Sequence, residues 1–290
     1  MARVAVIGAG VMGRAIAATF AGGGLPTVLV SRDPDRLGPL PAGVAARATL
    51  PDAPPELVIE AIPEDLHLKR NLFLDVERRY ATDGPGDRGP ILASNTSGLP
   101  LQEIAAPLAR PDRFLGIHYF FPADELPLVE VIRVAQTTDA TVATARGLLA
   151  QSGRDSVVVP QPVPGGLVNR LQHAILHEAY HLMSRGLATP EDIDKAARWL
   201  LGPRMCVSGL LEQKDLGGLT GHILAQRTIV PDLCHDAAPN ADVQAMLERG
   251  ETGIATGRGF YDWTTRDGAA AGRQAAERLR ALLDFLEAKP

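Results

Sequence analysis

Gly8-Ala9-Gly10-Val11-Met12-Gly13 follows the apolar run Arg3-Val4-Ala5-Val6-Ile7 and precedes a helical stretch from Arg14 to Phe20. A glycine-rich turn between a strand and a helix is suited to holding phosphate. Gly8 permits the tight turn, Gly10 lets the backbone approach a pyrophosphate, and Gly13 lets the helix pack closely on the strand. The helix start adds free N–H groups and the positive end of a dipole. The pattern predicts a dinucleotide site spanning Gly8, Ala9, Gly10, Val11, Met12 and Gly13; the plainer alternative is a structural glycine turn.

The second apolar run, Thr27-Val28-Leu29-Val30, points to the nucleotide's ribose end. An NAD-specific site places Asp or Glu there to grip the 2′-hydroxyl. This chain has Ser31-Arg32 instead. A hydroxyl and a guanidinium suit a 2′-phosphate, which a carboxylate would repel. NADP(H) is therefore expected over NAD(H). In the competing reading Arg32 is a solvated loop residue and Asp33 holds the ribose.

The third group is His118, at the end of an apolar run, with Glu130 on the next run. Hydride transfer to or from a carbinol carbon needs a group that exchanges the oxygen's proton near neutral pH, which suits histidine. A carboxylate on the other ring nitrogen would fix the tautomer and stabilise the imidazolium. Taken alone, such a pair is more often a packed histidine beside a salt-bridged glutamate.

The elements that must position these groups alternate. Strands are expected at Leu57–Ile62, Pro90–Ser94, Phe114–Tyr119, Val129–Ile132 and Ser156–Val159, with a helix from Leu66 to Tyr80 and a short one opening at Leu101. This pattern predicts an α/β Rossmann-type doubly wound, mainly parallel sheet. A Pro- and Gly-rich hinge at Gln161–Gly166 separates residues 1–160 from a smaller all-α C-terminal domain at 161–290. There, a long helix runs from Gly166 to Arg185, Thr189-Pro190-Glu191-Asp192 starts another, and an amphipathic helix ends the chain from Ala269 to Lys289. Asp83 to Gly89 reads as a surface loop.

The length of 290 residues suffices for two domains, and 46% apolar with 22% charged residues is ordinary for a globular protein. A net charge of −5 without a basic cluster argues against nucleic acid. Cys206 and Cys234 match no disulfide framework or zinc spacing. No apolar run approaches the ~20 residues of a membrane span. A soluble, cytoplasmic protein acting on a small molecule is expected.

Arg113-Phe114-Leu115-Gly116-Ile117-His118-Tyr119-Phe120-Phe121-Pro122, followed by Leu128-Val129-Glu130-Val131-Ile132, closely resembles the catalytic stretch of the 3-hydroxyacyl-CoA dehydrogenase family. Val58–Glu64, Ser94–Gly98, Gly166–Leu171 and Gly257-Arg258-Gly259-Phe260-Tyr261 agree with it in order. The resemblance implies that His118 is the general acid/base and Glu130 its orienting partner. It implies that Ser97 and Asn169 bond the substrate oxygen or the nicotinamide region, with Asn169 placing the active site in an interdomain cleft. Glu64, Lys69 and Asn95 would lie along the cofactor, and a homodimer would form through the second domain. The plainer readings are a turn at Asn95–Ser97, a helix start at Asn169 and an exposed ion pair for Glu64 and Lys69.

Three departures shape the expectation. Ser31-Arg32 replaces the usual acid, and Phe121 replaces the Asn of the family's His-x-x-Asn-Pro, bringing an apolar ring to the pocket. Arg32 to Glu56, broken by Pro34, Pro39, Pro41, Pro51, Pro54 and Pro55, is too short for the helical excursion that helps relatives hold CoA. The expected activity is an NADP(H)-dependent interconversion of a non-CoA β-hydroxy compound and its ketone. The alternative is an NAD-dependent 3-hydroxyacyl-CoA dehydrogenase with a shortened CoA site.

His177-Glu178-Ala179-Tyr180-His181 spells H-E-x-x-H, and His173 extends the spacing. Imidazoles at i and i+4 can share a metal. However, the segment falls in the second-domain helix just after Asn169-Arg170, with no downstream glutamate or histidine in a zinc-protease context. No metal site is expected. Arg204 and Lys214 are candidates for holding a substrate carboxylate, or simple surface charges.

Overall fold

The structure, a computed structural model, describes residues 1–81 and 89–288. The loop expected over Asp83–Gly89 lies, apart from Gly89, outside the described residues. Eight strands form one sheet: β1 Val4–Ile7, β2 Thr27–Val30, β3 Val44–Arg47, β4 Leu57–Glu60, β5 Ile91–Ser94, β6 Phe114–His118, β7 Leu128–Arg133 and β8 Asp155–Val159. Their order is β3-β2-β1-β4-β5-β6-β7-β8, and every pairing is parallel except β6 with β7. This is the doubly wound sheet that the alternating sequence implies.

The inner strands are buried along their whole length because helices cover both faces. Alternate residues divide between two cores. Val4, Val6, Leu29, Ile59 and Leu115 pack with Ile16 and Phe20 of α1 (Val11–Gly22) and, through Leu148 and Leu149, α4 (Asp139–Gln151). Ala5, Val28, Val58 and Leu92 pack with Phe73 and Val76 of α2 (Leu66–Arg79) and Ile104 of α3 (Leu101–Ala105). There Phe73 and Phe114 meet edge to face with centroids 5.2 Å apart. Asp65 starts α2 by accepting the Leu68 N–H at 2.8 Å, which fixes where the chain leaves β4.

The strand order reverses at β1, which lies between β2 and β4. That topology leaves a crevice at the carboxyl ends of the strands, the usual ligand position in such sheets. The Gly8–Gly13 turn, Ser31, Glu60, Asn95 and His118 all lie at or just beyond carboxyl ends. β7 runs the opposite way, so Glu130 reaches the same edge from near its strand's start, directly opposite His118.

Strand β3 was not expected. It has four residues, two of them alanine, in a segment crowded with proline. Its half-exposed edge position gives no readable apolar alternation. The remaining regular structure between Arg32 and Glu56 is one turn of 3-10 helix, Pro34–Arg36. No pair of packed helices occurs there.

The chain divides into two compact units, Met1–Arg170 and Leu171–Pro290. The division falls inside α5 (Val168–Ser184), later than the boundary expected at 160/161. Residues beyond the hinge stay tied to the first unit because the Leu167 and Val168 N–H groups bond Glu130. The second unit is helical: α6 Pro190–Ala196, α7 Gly202–Ser208, α8 Glu212–Gly217, α9 Leu219–Ile229, α10 Ala241–Glu248 and α11 Gly268–Ala288. A capping box between Thr189 and Asp192 starts α6. None of its described residues is buried, whereas the first unit has two apolar cores.

Candidate active site

The Gly8–Gly13 turn has the constraints of a phosphate cradle. Gly8 sits at φ +110°, and a Cβ there would lie 2.6 Å from the Ala61 carbonyl oxygen. A Cβ on Gly13 would collide with the Gly8 carbonyl. Gly10 instead faces open space, with nothing within 4 Å of a built Cβ. The first N–H to close the helix is Arg14's, onto the Gly10 carbonyl at 3.0 Å; those of Val11, Met12 and Gly13 have no acceptor among the described residues. Arg14 braces the turn by donating to the Ala9 carbonyl at 3.1 Å and to the carbonyls of Leu37 and Pro39. The site therefore fits a dinucleotide pyrophosphate.

At the end of β2, the Ser31 N–H donates to the Arg47 carbonyl at 2.9 Å, joining the ends of β2 and β3. Asp33 is engaged with Arg36 at 3.1 Å. Arg32 and Arg47 are exposed, and neither side chain has a partner among the described residues.

A buried polar network crosses the ends of β4 and β5. Glu60 is 0% exposed and Lys69 1%. Lys69 Nζ donates to both Glu60 oxygens at 2.8 Å and to the Ile62 carbonyl at 3.3 Å, and it pairs with Glu64 at 3.2 Å. Ser94 Oγ also bonds Glu60. Glu64 accepts from the Thr96 hydroxyl and, at 3.3 Å, from the Gly98 N–H. Burial opposes its charge, but Thr96, Lys69 and the Gly98 N–H outweigh that and hold its carboxyl below the usual range. Asn95 Oδ1 accepts the Tyr119 N–H at 2.9 Å, tying this loop to the end of β6. Glu60 is the residue the sequence reading missed. Its signal was a charged residue closing the apolar run Leu57-Val58-Ile59, immediately before the turn.

His118 is 4% exposed, and its Nδ1 lies 2.9 Å from Glu130 Oε2. Glu130 Oε1 accepts from the N–H groups of Leu167 at 2.8 Å and Val168 at 2.7 Å. Burial disfavours the Glu130 carboxylate, but the His118 bond and these two amides more than compensate, so its pKa is lowered. An ionised Glu130 only accepts, so it holds the proton on His118 Nδ1 and leaves the Nε2 lone pair available. Nε2 has no partner among the described residues. Phe120 packs against the imidazole with centroids 4.3 Å apart, while Phe121 is 72% exposed.

Gly166 lets the chain pass this carboxylate: its φ is +58°, and a Cβ would strike Glu130 Oε2. Gly166→Ala is expected to lose about 1–3 kcal/mol of stability from the left-handed backbone alone, and turnover with it. Denaturant unfolding and steady-state kinetics on the same preparation would check both.

Ser97 is exposed and Asn169 half-buried near the start of α5, and neither bonds His118 or Glu130. Between 96–102 and 162–166 lies a cavity of about 240 Å³, lined by Ser97, Gln102, Ile132 and Pro164 among others. Arg204 on α7 and Lys214 on α8 belong to the second unit.

The family model described as 3-hydroxyacyl-CoA dehydrogenase, NAD binding domain, matches residues 3–49 and 46–162, and its C-terminal domain matches 165–263. The chain belongs to the 3-hydroxyacyl-CoA dehydrogenase family. It is 32% identical to a 5-formyl-3-hydroxy-2-methylpyridine 4-carboxylate 5-dehydrogenase of Mesorhizobium japonicum, over 99% of this chain and 98% of that protein. It is 34% identical to a Mycobacterium tuberculosis 3-hydroxybutyryl-CoA dehydrogenase over 72% of this chain and 70% of that protein. Among solved structures, one of a 5-formyl-3-hydroxy-2-methylpyridine 4-carboxylic acid 5-dehydrogenase, described as an NAD+-dependent dismutase, superposes with a TM-score of 0.90 at 30% identity, covering 100% of both chains. A 3-hydroxyacyl-CoA dehydrogenase from Archaeoglobus fulgidus gives 0.68 at 32% identity, covering 99% of both. As a member of this family, the chain is an NAD(P)-dependent dehydrogenase acting on a CH–OH group. No described helix is long and apolar enough to cross a membrane.

Proposed function

We propose that this family member interconverts a non-CoA hydroxy compound and its carbonyl with NADP(H), His118 serving as the general acid/base. The observation that carries the mechanism is the buried His118–Glu130 pair at 2.9 Å. A bound nicotinamide supplies or accepts the hydride. In reduction, His118 gives a proton to the developing alkoxide; in oxidation, Nε2 takes it from the hydroxyl. Glu130 fixes the ring tautomer and stabilises the imidazolium. Ser97 and Asn169, whose side chains have no partner among the described residues, are assigned to the substrate oxygen and the nicotinamide region. Glu64, Lys69 and Asn95 are assigned to the cofactor-side wall, with Lys69 acting from beneath by holding Glu60 and Glu64.

The absence of a helical pair between Arg32 and Glu56 supports a non-CoA substrate, and the family match breaks within that same stretch. The full-length similarity to a dehydrogenase named for a pyridine carboxylate supports it too. A thioester substrate is the second reading, favoured by the similarity to the 3-hydroxybutyryl-CoA enzyme; competition by free CoA would separate the two. The uncovered apolar residues of the second unit support a homodimer. Two cysteines, both free, are in keeping with a cytoplasmic enzyme.

NADP(H) rests on Arg32 being exposed and without a partner among the described residues while Asp33 is occupied by Arg36. The similar structure described as NAD+-dependent makes this the point to test. A fluorescence titration should show NADPH binding at least about tenfold tighter than NADH, as a guanidinium–phosphate bond contributes about 1.5–3 kcal/mol. Arg32→Ala should remove that margin. Tighter NADH binding would mean that Asp33 holds the ribose.

A further inference from the structure

Several polar groups that hydride transfer leaves unused converge in the second unit. His177, Glu178 and His181 lie on α5, and Cys234 and Asp236 lie in the segment after the Val230–Asp232 turn. The ligand atoms of His181, Cys234 and Asp236 all fall within 4.8 Å of one another. Cys234 Sγ is 3.8 Å from Asp236 Oδ2 and 3.2 Å from His177 Nε2. Zinc bonds of about 2.0–2.3 Å to sulfur, nitrogen and oxygen place tetrahedral ligands about 3–4 Å apart. Reaching that spacing from 4.8 Å takes only a small rotation of side chains on a part-exposed surface.

The other two groups support the cluster without joining it. His177 Nε2 lies 2.9 Å from the Asp236 carbonyl oxygen, which can only accept. Nε2 therefore carries the proton, and the same N–H faces the Cys234 sulfur. Glu178 accepts the Cys234 N–H at 2.8 Å, which fixes the loop and takes up the carboxylate that a metalloprotease would use as its base. Ser184 and Asn240 close the far side of the same two segments, with Asn240 Nδ2 donating at 3.0 Å.

We propose that His181, Cys234 and Asp236 bind one zinc-class divalent cation, with His177 as an outer N–H donor to the thiolate and solvent in the fourth position. A mixed thiolate, imidazole and carboxylate set suits zinc and its neighbours rather than magnesium or calcium. Binding releases the Cys234 thiol proton to solvent and clips α5 to the 233–240 segment. That link adds binding energy to the folding of a unit with no buried residue among those described. The H-E-x-x-H spacing thus supplies one ligand and two supports, and the remaining ligands come from a stretch that sequence spacing could not connect to it.

The test is cobalt loading of the full-length protein after dialysis against a chelator. The wild type should bind about one Co2+ per chain and show a thiolate-to-cobalt charge-transfer band in the near ultraviolet. Cys234→Ser should abolish the band and Cys206→Ser should keep it. His177→Ala should weaken affinity about 10- to 100-fold, as removal of an outer-shell partner does. Absence of the band in the wild type, or its survival in Cys234→Ser, would overturn the proposal. The wild-type result requires no variant to fold, and circular dichroism checks each variant.

Discussion

Replacing His118 with alanine is expected to reduce kcat by about 10²–10⁴-fold, the range for removing a positioned general acid/base. Dinucleotide binding should be nearly unchanged, because the groups assigned above to the nucleotide, the glycine turn and the ends of β2 and β3, are other than His118. The large effect follows from how completely the ring is prepared. The amides of Leu167 and Val168 hold Glu130 in place, and Glu130 in turn holds the imidazole. Its carboxyl stays below the ordinary range, so it remains ionised through neutral pH and favours the imidazolium that forms in oxidation. Alanine would remove the proposed proton carrier and leave a buried carboxylate with one bond fewer. Some loss of stability is therefore expected too, and a melting curve is needed beside the kinetics. The assay would use the formylpyridine carboxylate of the similar dehydrogenase and a 3-ketoacyl thioester, each with NADPH and NADH. Turnover equal to the wild type's on whichever substrate reacts would remove His118 from the mechanism.

The parts of this site legible in the sequence were those carried by short-range pattern. Gly8, Gly10 and Gly13 are separated by a few residues on one turn, so strand, turn and helix appear in a single window. His118 and Glu130 lie on runs that pair as neighbours, and their register places them opposite each other. Illegible were contacts whose partners lie far apart in sequence. Ser94 reaches Glu60 across 34 positions, and the Leu167 N–H reaches Glu130 across 37. No local periodicity encodes either. Strand β3 escaped notice for a different reason: Val44-Ala45-Ala46-Arg47 is too short and too small in side-chain volume for alternation to register. It is a strand because β2 offers an open edge at that point, which is a tertiary rather than a local cause. Lys69 shows how residue type can mislead. In the sequence it reads as half of an exposed ion pair with Glu64 or, by resemblance, as a group along the cofactor, and only the position of the buried carboxylate of Glu60 reveals its burial.

Lys69→Met is accordingly expected to destabilise the enzyme by about 3–5 kcal/mol, the usual consequence of leaving one half of a buried ion pair uncompensated. Glu60 would keep its Ile62 N–H and Ser94 hydroxyl but lose the cation that contacts both of its oxygens. Glu64 would lose its partner at 3.2 Å, loosening the carboxylate that organises Thr96 and Gly98 ahead of Ser97. Urea unfolding of Lys69→Met should show a lower midpoint with an unchanged slope. The second variant that decides the cause is Lys69→Met with Glu60→Gln. Neutralising the carboxylate removes the orphaned charge, so the double variant should regain much of the loss even though it has fewer ionic contacts. A lysine that touched the cofactor directly would behave differently: stability would stay near the wild type, NAD(P)H binding would fall sharply, and Glu60→Gln would restore nothing. The sign of the coupling between the two positions therefore separates a cation that supports the crevice from one that lines it.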